Sequence, residues 1–472
     1  MLTRNANRDP FLTFWLRVRE FAVPPSMIET ATARRRTGDW AGACAAAGID
    51  IDLRPRSLAR THGRELAARI RADLRHLAPD LLRWHLPRIA PHGLLRPGLT
   101  IALARYGTGE PDRRGPVFLV VRTPPAWADA GQRISLALWD GSRAARAEAA
   151  ARRHPHPRPS RRFRLDLHRH LWDARRTGEL RVRSGADRPP GADGPTSGTA
   201  LSDAVPEGLR CAVDRWAAEA ALLLGTGPRA ESRFAVRLGG RRRLLLDLRG
   251  DGSEDGPGTP ALSLAEASGE HTALPPVLPD AATWALPDLE LIRAGAIGAD
   301  RLHPLVVAAL LPGHVPAGPA AVPDPAGLPR PVECRGARHR IGLVDGVLVP
   351  LDHDPAEIRR EELLAALTGT PMPCLQAIDE AHRRPECLDG VRERLDHGDI
   401  TGALAVVEGL LGPGAVLRGG ALRDELETAA LRRISHGLFR ADLIGSGPDR
   451  FRPNRRTRDP HPRRRVRHTP YG

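Results

Sequence analysis

The residues best equipped for chemistry cluster between positions 152 and 173. His154 and His156 alternate with prolines in RRHPHPRP, and His168, His170 and Asp173 follow in DLHRHLWD, with Asp166 leading them. Imidazole and carboxylate side chains together make a zinc-type ligand set. On a helix an i, i+2 pair points its rings about 200° apart, whereas on a strand the same pair shares a face. His168, His170 and Asp173 therefore define a candidate metal site if the segment is extended, and a metal-dependent enzyme centred there is one reading of the chain. The acidic pair in LDHDP fits a different role: Asp354 caps a helix that begins with Pro355 and carries Glu357 in its first turn.

Other chemistries lack their residues. Asp379-Glu380-Ala381-His382 spells an acidic box of the kind that holds Mg²⁺ beside a nucleotide, but its phosphate-binding partner needs a lysine and the chain contains none. Phosphoryl transfer through a conserved Lys and Schiff-base catalysis fall with it. The four residues also sit within a predicted helix and read as a solvated face. There is no G-x-S-x-G elbow, no Gly-rich dinucleotide loop and no local signature around any cysteine, so no cofactor is expected.

Charge offers a third possibility. The formal charge is +15 and every basic residue is arginine, which with only three Asn (Asn5, Asn7, Asn454) indicates a high-GC coding sequence. Two arginine arms stand out. One holds Arg152, Arg153, Arg158, Arg161, Arg162 and Arg164; the other runs from Arg450 to Arg467 and includes Arg455, Arg456, Arg463, Arg464 and Arg465. Such arms bind phosphate without reading sequence, and nucleic acid is a possible partner. Residues 448–472 alone carry +7 of the net charge, so the body is only modestly basic. Phe451 and Tyr471 are the only aromatics of the tail, too few for a base-stacking platform.

The five cysteines (Cys44, Cys211, Cys334, Cys374, Cys387) form no C-x-x-C pair and are odd in number, which argues for a reducing cytoplasm. No apolar run is long enough to span a bilayer, and no membrane partner is expected. FLTFWLRVREFAV is interrupted by Arg17, Arg19 and Glu20 and lacks a cleavage site, so it is no signal peptide. The Phe and Asn content of residues 1–22 departs from that of the rest of the chain. Residues 1–26 are therefore expected to be a mis-assigned start or disordered, with Val23 or Met27 as the alternative beginning.

The elements that would position these residues are mixed. Leu58, His62, Leu66, Ile70, Leu74 and Leu77 recur at helical spacing, and an all-helical module is expected over 27–95. From LTIALARY through PVFLVVRT to QRISLALWDG the period changes to strands, giving a small antiparallel sheet plus helix over 96–182. A linker is expected at 183–207. Residues 208–315 read as a helix, a hairpin turning at Gly239-Gly240 and two short helices. A Pro-rich linker at 316–330 precedes a hairpin turning at Asp345-Gly346 and a helical module, 331–445, and residues 446–472 form a basic, disordered tail. The fold class is α+β, with helical modules at both ends flanking small antiparallel sheets.

Gly398-Asp399-Ile400-Thr401-Gly402-Ala403, followed by Leu404, Leu410 and Pro413, resembles half of a tetratricopeptide repeat, and Gly38-Asp39-Trp40-Ala41-Gly42-Ala43 is similar to the same window. No third copy appears, and a solenoid needs about three units. The windows are read as two isolated helical hairpins. The composition and stretches such as MIETATARRRTGDWAGACAAAGI resemble the multi-module proteins of high-GC actinomycetes, a resemblance that implies no activity. The leading expectation is a non-catalytic cytoplasmic interaction or adaptor protein that holds protein partners. A nucleic-acid-associated protein using the arginine arms is the alternative, and the metal-dependent enzyme is the third reading.

Overall fold

The computed structural model describes residues 9–53, 55–107, 116–129, 132–141, 154–187, 201, 204–206, 208–225, 232–240, 242–249, 261–265, 275–314, 330–334, 336–344, 347–369, 372–383, 388–411, 420–441 and 443. The chain is α+β and divides into two compact units, the first built mainly from Met1–Trp127 and Gln132–Pro316, the second mainly from Ala317–Asn454.

In the first unit, Asp9 caps helix α1 (Pro10–Arg17) by accepting from the Phe11 amide at 2.9 Å, with Pro10 at the first helical position. A π-helical turn, Val18–Ala22, continues it. Trp15 is 1% exposed and lies 4.9 Å from the ring of Trp84, within a core that also holds Leu12, Val18, Ile28 and Leu291. Of residues 1–26, expected to be a mis-assigned start or disordered, those from Asp9 to Ala22 form helix, with Trp15 in the core and Phe11 and Phe14 partly buried against it.

Helices α2 (Pro25–Arg36) and α3 (Trp40–Ala46) form the first hairpin, and strand β1 (Ile49–Ile51) follows. The stripe read as one helix is two, α4 (Pro55–His62) and α5 (Arg64–His76), because Gly63 adopts φ +89° between them. Helix α6 (Pro79–His85) and the short strands β2 (Arg88–Ile89) and β3 (Leu94–Leu95) lead into β4 (Thr100–Tyr106), β5 (Val117–Arg122) and β6 (Ile134–Trp139). The sheet order is β1-β6-β5-β4. β1 pairs parallel with β6 and the other pairs are antiparallel. The all-helical expectation for 27–95 thus misses β1, β2 and β3, whose two or three residues each are too short to show a period-2 pattern. Helices and sheet share one core, with Ile70, Leu74 and Leu81 packed alongside Ile101, Leu119 and Leu136, so the boundary expected near residue 95 falls inside it.

A second core in this unit forms where helix α7 (Leu180–Arg183) is followed by α8 (Trp216–Leu224) and the sheet β7 (Arg233–Arg237), β8 (Arg243–Arg249) and β9 (Ala261–Leu264). Gly239 and Gly240, at φ +96° and +55°, make the expected tight turn. Trp216, Ala220 and Leu223 of α8 share a core with Phe234, Val236 and Leu246. Short helices α9 (Asp280–Thr283), α10 (Pro287–Arg293) and α11 (Pro304–Leu310) complete the unit.

The second unit begins with the antiparallel sheet β10 (Arg330–Cys334), β11 (Ala337–Val344) and β12 (Val347–Pro350). Asp354 caps α12 (Pro355–Thr368) as expected, accepting from the Ala356 amide at 2.8 Å. Helices α13 (Pro373–Arg383), α14 (Leu388–His397), α15 (Ile400–Leu411) and α16 (Ala421–Arg440) complete the unit. Val391, Leu395, Ala403, Val407 and Leu422 form the core of the last three. The basic segment 446–472 and most of the two linkers lie outside the described residues.

Candidate functional site

The expected set His168, His170 and Asp173 does not assemble as metal ligands. The segment is a 3-10 turn, Arg169–Leu171, not a strand, and the two imidazoles stand 5.8 Å apart at 61°. Asp173 is fully buried and spends both oxygens on arginine: Arg169 donates to Oδ2 at 2.8 Å, and Arg175 donates to Oδ2 at 2.7 Å and to Oδ1 at 3.0 Å. Burial pushes this carboxyl up, but the two guanidinium groups outweigh it and hold it below the usual range. The same arginines bind Asp73, which also accepts from the Tyr106 hydroxyl at 2.7 Å. His168 sits between the Arg164 carbonyl, 2.8 Å from Nδ1, and Glu219, 3.2 Å from Nε2. Burial lowers the pKa of His170 well below normal and His168 lowers it further, keeping it neutral. These groups are a structural network.

Two of the four described arginines of the first arm are likewise committed. Arg162 donates to both oxygens of buried Asp280, at 2.7 and 2.8 Å, and Arg164 pairs bidentately with Asp166. Arg161 is exposed. Arg152, Arg153, Arg455, Arg456, Arg463, Arg464 and Arg465 lie outside the described residues. The Asp379–His382 box falls within α13, on the expected helix.

The first unit also holds a small open cleft walled by Trp15, Phe163, Leu171 and Trp284, with His85, Arg164 and Asp280 among its polar residues. Behind His85 lies buried charge. Asp288 accepts from Trp84 Nε1 at 2.7 Å and from Arg19 at 3.4 Å, and lies 4.0 Å from His85 Nε2; Asp80 pairs with His303 at 3.0 Å. Burial drives His85 down to about 3 and raises Asp288 despite Arg19. Among the described residues, the lining of the cleft contains no hydroxyl or thiol nucleophile.

The second unit brings together what the sequence scattered. Cys334 closes β10, His353 links β12 to α12, and Cys374 lies in the first turn of α13. One donor atom from each lies within 4.8 Å of the other two, the one group among the described residues with metal-ligand proximity. Burial and the neighbouring Cys334 push the Cys374 thiol up to about 12. A pattern of closely spaced cysteines does not reveal this group, because its members are some twenty residues apart. The sequence reading put His353 at the end of a hairpin and Cys374 at the start of a helical stretch, but it predicted no strand ending at Cys334.

No protein-family model, curated protein or solved structure matches the chain. Among the described residues no helix is long and apolar enough to cross a membrane.

Beyond these groups, the second unit carries an apolar surface. Leu363, Leu364 and Leu367 of α12 are 68%, 53% and 86% exposed, whereas Ile358, Glu361 and Ala365 on the other side of the same helix are half-buried. Residues three and four apart share a helix face, so Leu363, Leu364 and Leu367 form a patch.

Proposed function

We propose that the chain is a non-catalytic interaction protein that holds protein partners through the second unit, with α12 as its docking helix. The observation carrying this reading is the leucine patch of α12, which its own unit leaves in solvent. Contiguous exposed apolar surface costs solubility and marks interaction sites. More than half of the large apolar side chains exposed among the described residues belong to the smaller unit, Leu404, Leu431 and Ile434 included. The acids and imidazoles expected to do chemistry, by contrast, are neutralised by internal partners. The free thiols of Cys44, Cys211, Cys334 and Cys374 support a reducing cytoplasm as the setting.

The test is affinity co-purification of the full chain and of Leu363→Glu/Leu367→Glu from nuclease-treated native lysate. Exposed substitutions change stability by about 0.5 kcal/mol or less, so the variant should melt with the parent. A partner recovered near stoichiometry with the parent and lost with the variant supports the reading. Equal recovery by both, or no partner for either, counts against it. A parent dimer that the variant converts to monomer would identify a second copy of this chain as the partner.

A further inference from the structure

We propose that Cys334, His353 and Cys374 bind one zinc ion that clips the hairpin of the second unit to its helices. The spacing of the donors is the first argument. Zn–S and Zn–N bonds of about 2.3 and 2.0 Å at tetrahedral angles set an S···N edge of about 3.5 Å and an S···S edge of about 3.8 Å. Cys374 Sγ lies 3.4 Å from His353 Nε2, and all three donors fall within 4.8 Å of one another.

Burial and orientation agree with this. Both cysteines are fully buried and the His353 side chain is 4% exposed, so the donors face inward. The second ring nitrogen of His353, Nδ1, lies 3.5 Å from Glu357 Oε2. Metal-bound imidazoles are commonly oriented by such a carboxylate. His339 stacks on the same ring at 4.0 Å between centroids and 11° between planes, which fixes its plane. Cys374 sits in the first turn of an 11-residue helix, whose N-terminal dipole would offset part of the charge of a metal-bound thiolate.

Energetics give the site a purpose. Among the described residues, Cys334, Met372 and Cys374 make up a buried core patch here, with Val332, Ile358 and Leu375 partly buried against it. A metal held by this patch would contribute folding free energy directly, because the site forms only when the chain is folded. Each thiol releases its proton to solvent on binding. Two thiolates and one neutral imidazole then balance the dication, so the buried centre has no net charge. A Cys334–Cys374 disulfide would leave the buried, oriented imidazole without a function.

The full chain, purified under reductant without chelator and reconstituted with zinc, would be assayed for bound metal and by zinc-edge X-ray absorption. About one zinc per chain with at least two sulfur neighbours at about 2.3 Å is expected. Cys334→Ser and Cys374→Ser should each lose the metal, while Cys44→Ser and Cys211→Ser keep it. No bound zinc after reconstitution, zinc with only nitrogen and oxygen neighbours, or a Cys334–Cys374 disulfide in the reduced preparation would overturn the proposal. If a ligand variant fails to fold, the absorption spectrum of the parent decides alone.

Discussion

Arginine is the residue that gives this molecule its interior. Arg83 is 2% exposed and donates to three main-chain carbonyls, Ala22 at 3.1 Å, Ala47 at 3.3 Å and Gln132 at 2.7 Å. A guanidinium has five N–H donors in a fixed fork and stays protonated, so it can satisfy several carbonyls where a lysine would serve fewer. Glu219 is held the same way. Burial raises its carboxyl, but hydrogen bonds from His168 and Arg183 more than compensate and bring it from 4.5 down to about 2. Because the folded value lies below the unfolded one, this stabilisation is complete above pH 4.5 and is lost as pH falls through 2. Glu219→Gln should therefore cost about 3 kcal/mol near neutral pH, and the difference from the parent should vanish in strong acid. Denaturant melts of both proteins across that range test this; a pH-independent difference would show that Glu219 does not contribute through its charge.

At the scale of elements, the two tetratricopeptide-like windows share a single local design. Gly38 and Gly398 take φ +79° and +84°, and Asp39 and Asp399 accept from the amides of Gly42 and Gly402 at 2.8 and 2.9 Å. Arg34 and Arg394 each donate to the aspartate at 3.1 Å. Ala43 and Ala403 are fully buried. A Cβ at Gly42 or Gly402 would run into the capping carboxylate. Gly42→Ala and Gly402→Ala should each displace the cap and cost about 1 kcal/mol, measured by thermal melting against the parent; an unchanged melting temperature would show that the carboxylate relocates without loss. These knuckles were legible because Gly, Asp and Ala each have a local job. The same holds for the Gly239-Gly240 turn and the Asp354 cap. Gly63 was the exception: the apolar stripe continues across it in sequence, and only its positive φ shows the break.

For the whole molecule, legibility ends where residues far apart meet. No spacing rule joins Cys334 to Cys374, and none joins Arg19 to Asp288, 269 positions away. Arg19 lies 3.8 Å over the ring of Trp84, whose N–H donates to the same Asp288. A chain beginning at Val23 would remove Trp15 and Arg19 and leave Asp288 buried without its guanidinium. Breaking a buried pair from one side costs about 3–5 kcal/mol. That truncation should lower the melting temperature sharply or fail to fold, and equal stability of the two chains by calorimetry would show that α1 is dispensable.

The same bridge sets an order of events in synthesis. Chains leave the ribosome N-terminus first. Helix α1 and Trp84 therefore emerge long before Asp288 and His303 exist to complete their surroundings. Through most of the translation of the first unit, the indoles of Trp15 and Trp84 and the carboxylate of Asp80 must wait without their final partners. This unit closes only when its last third has been made, and until then the nascent chain offers a holding chaperone an aromatic surface that the finished protein conceals.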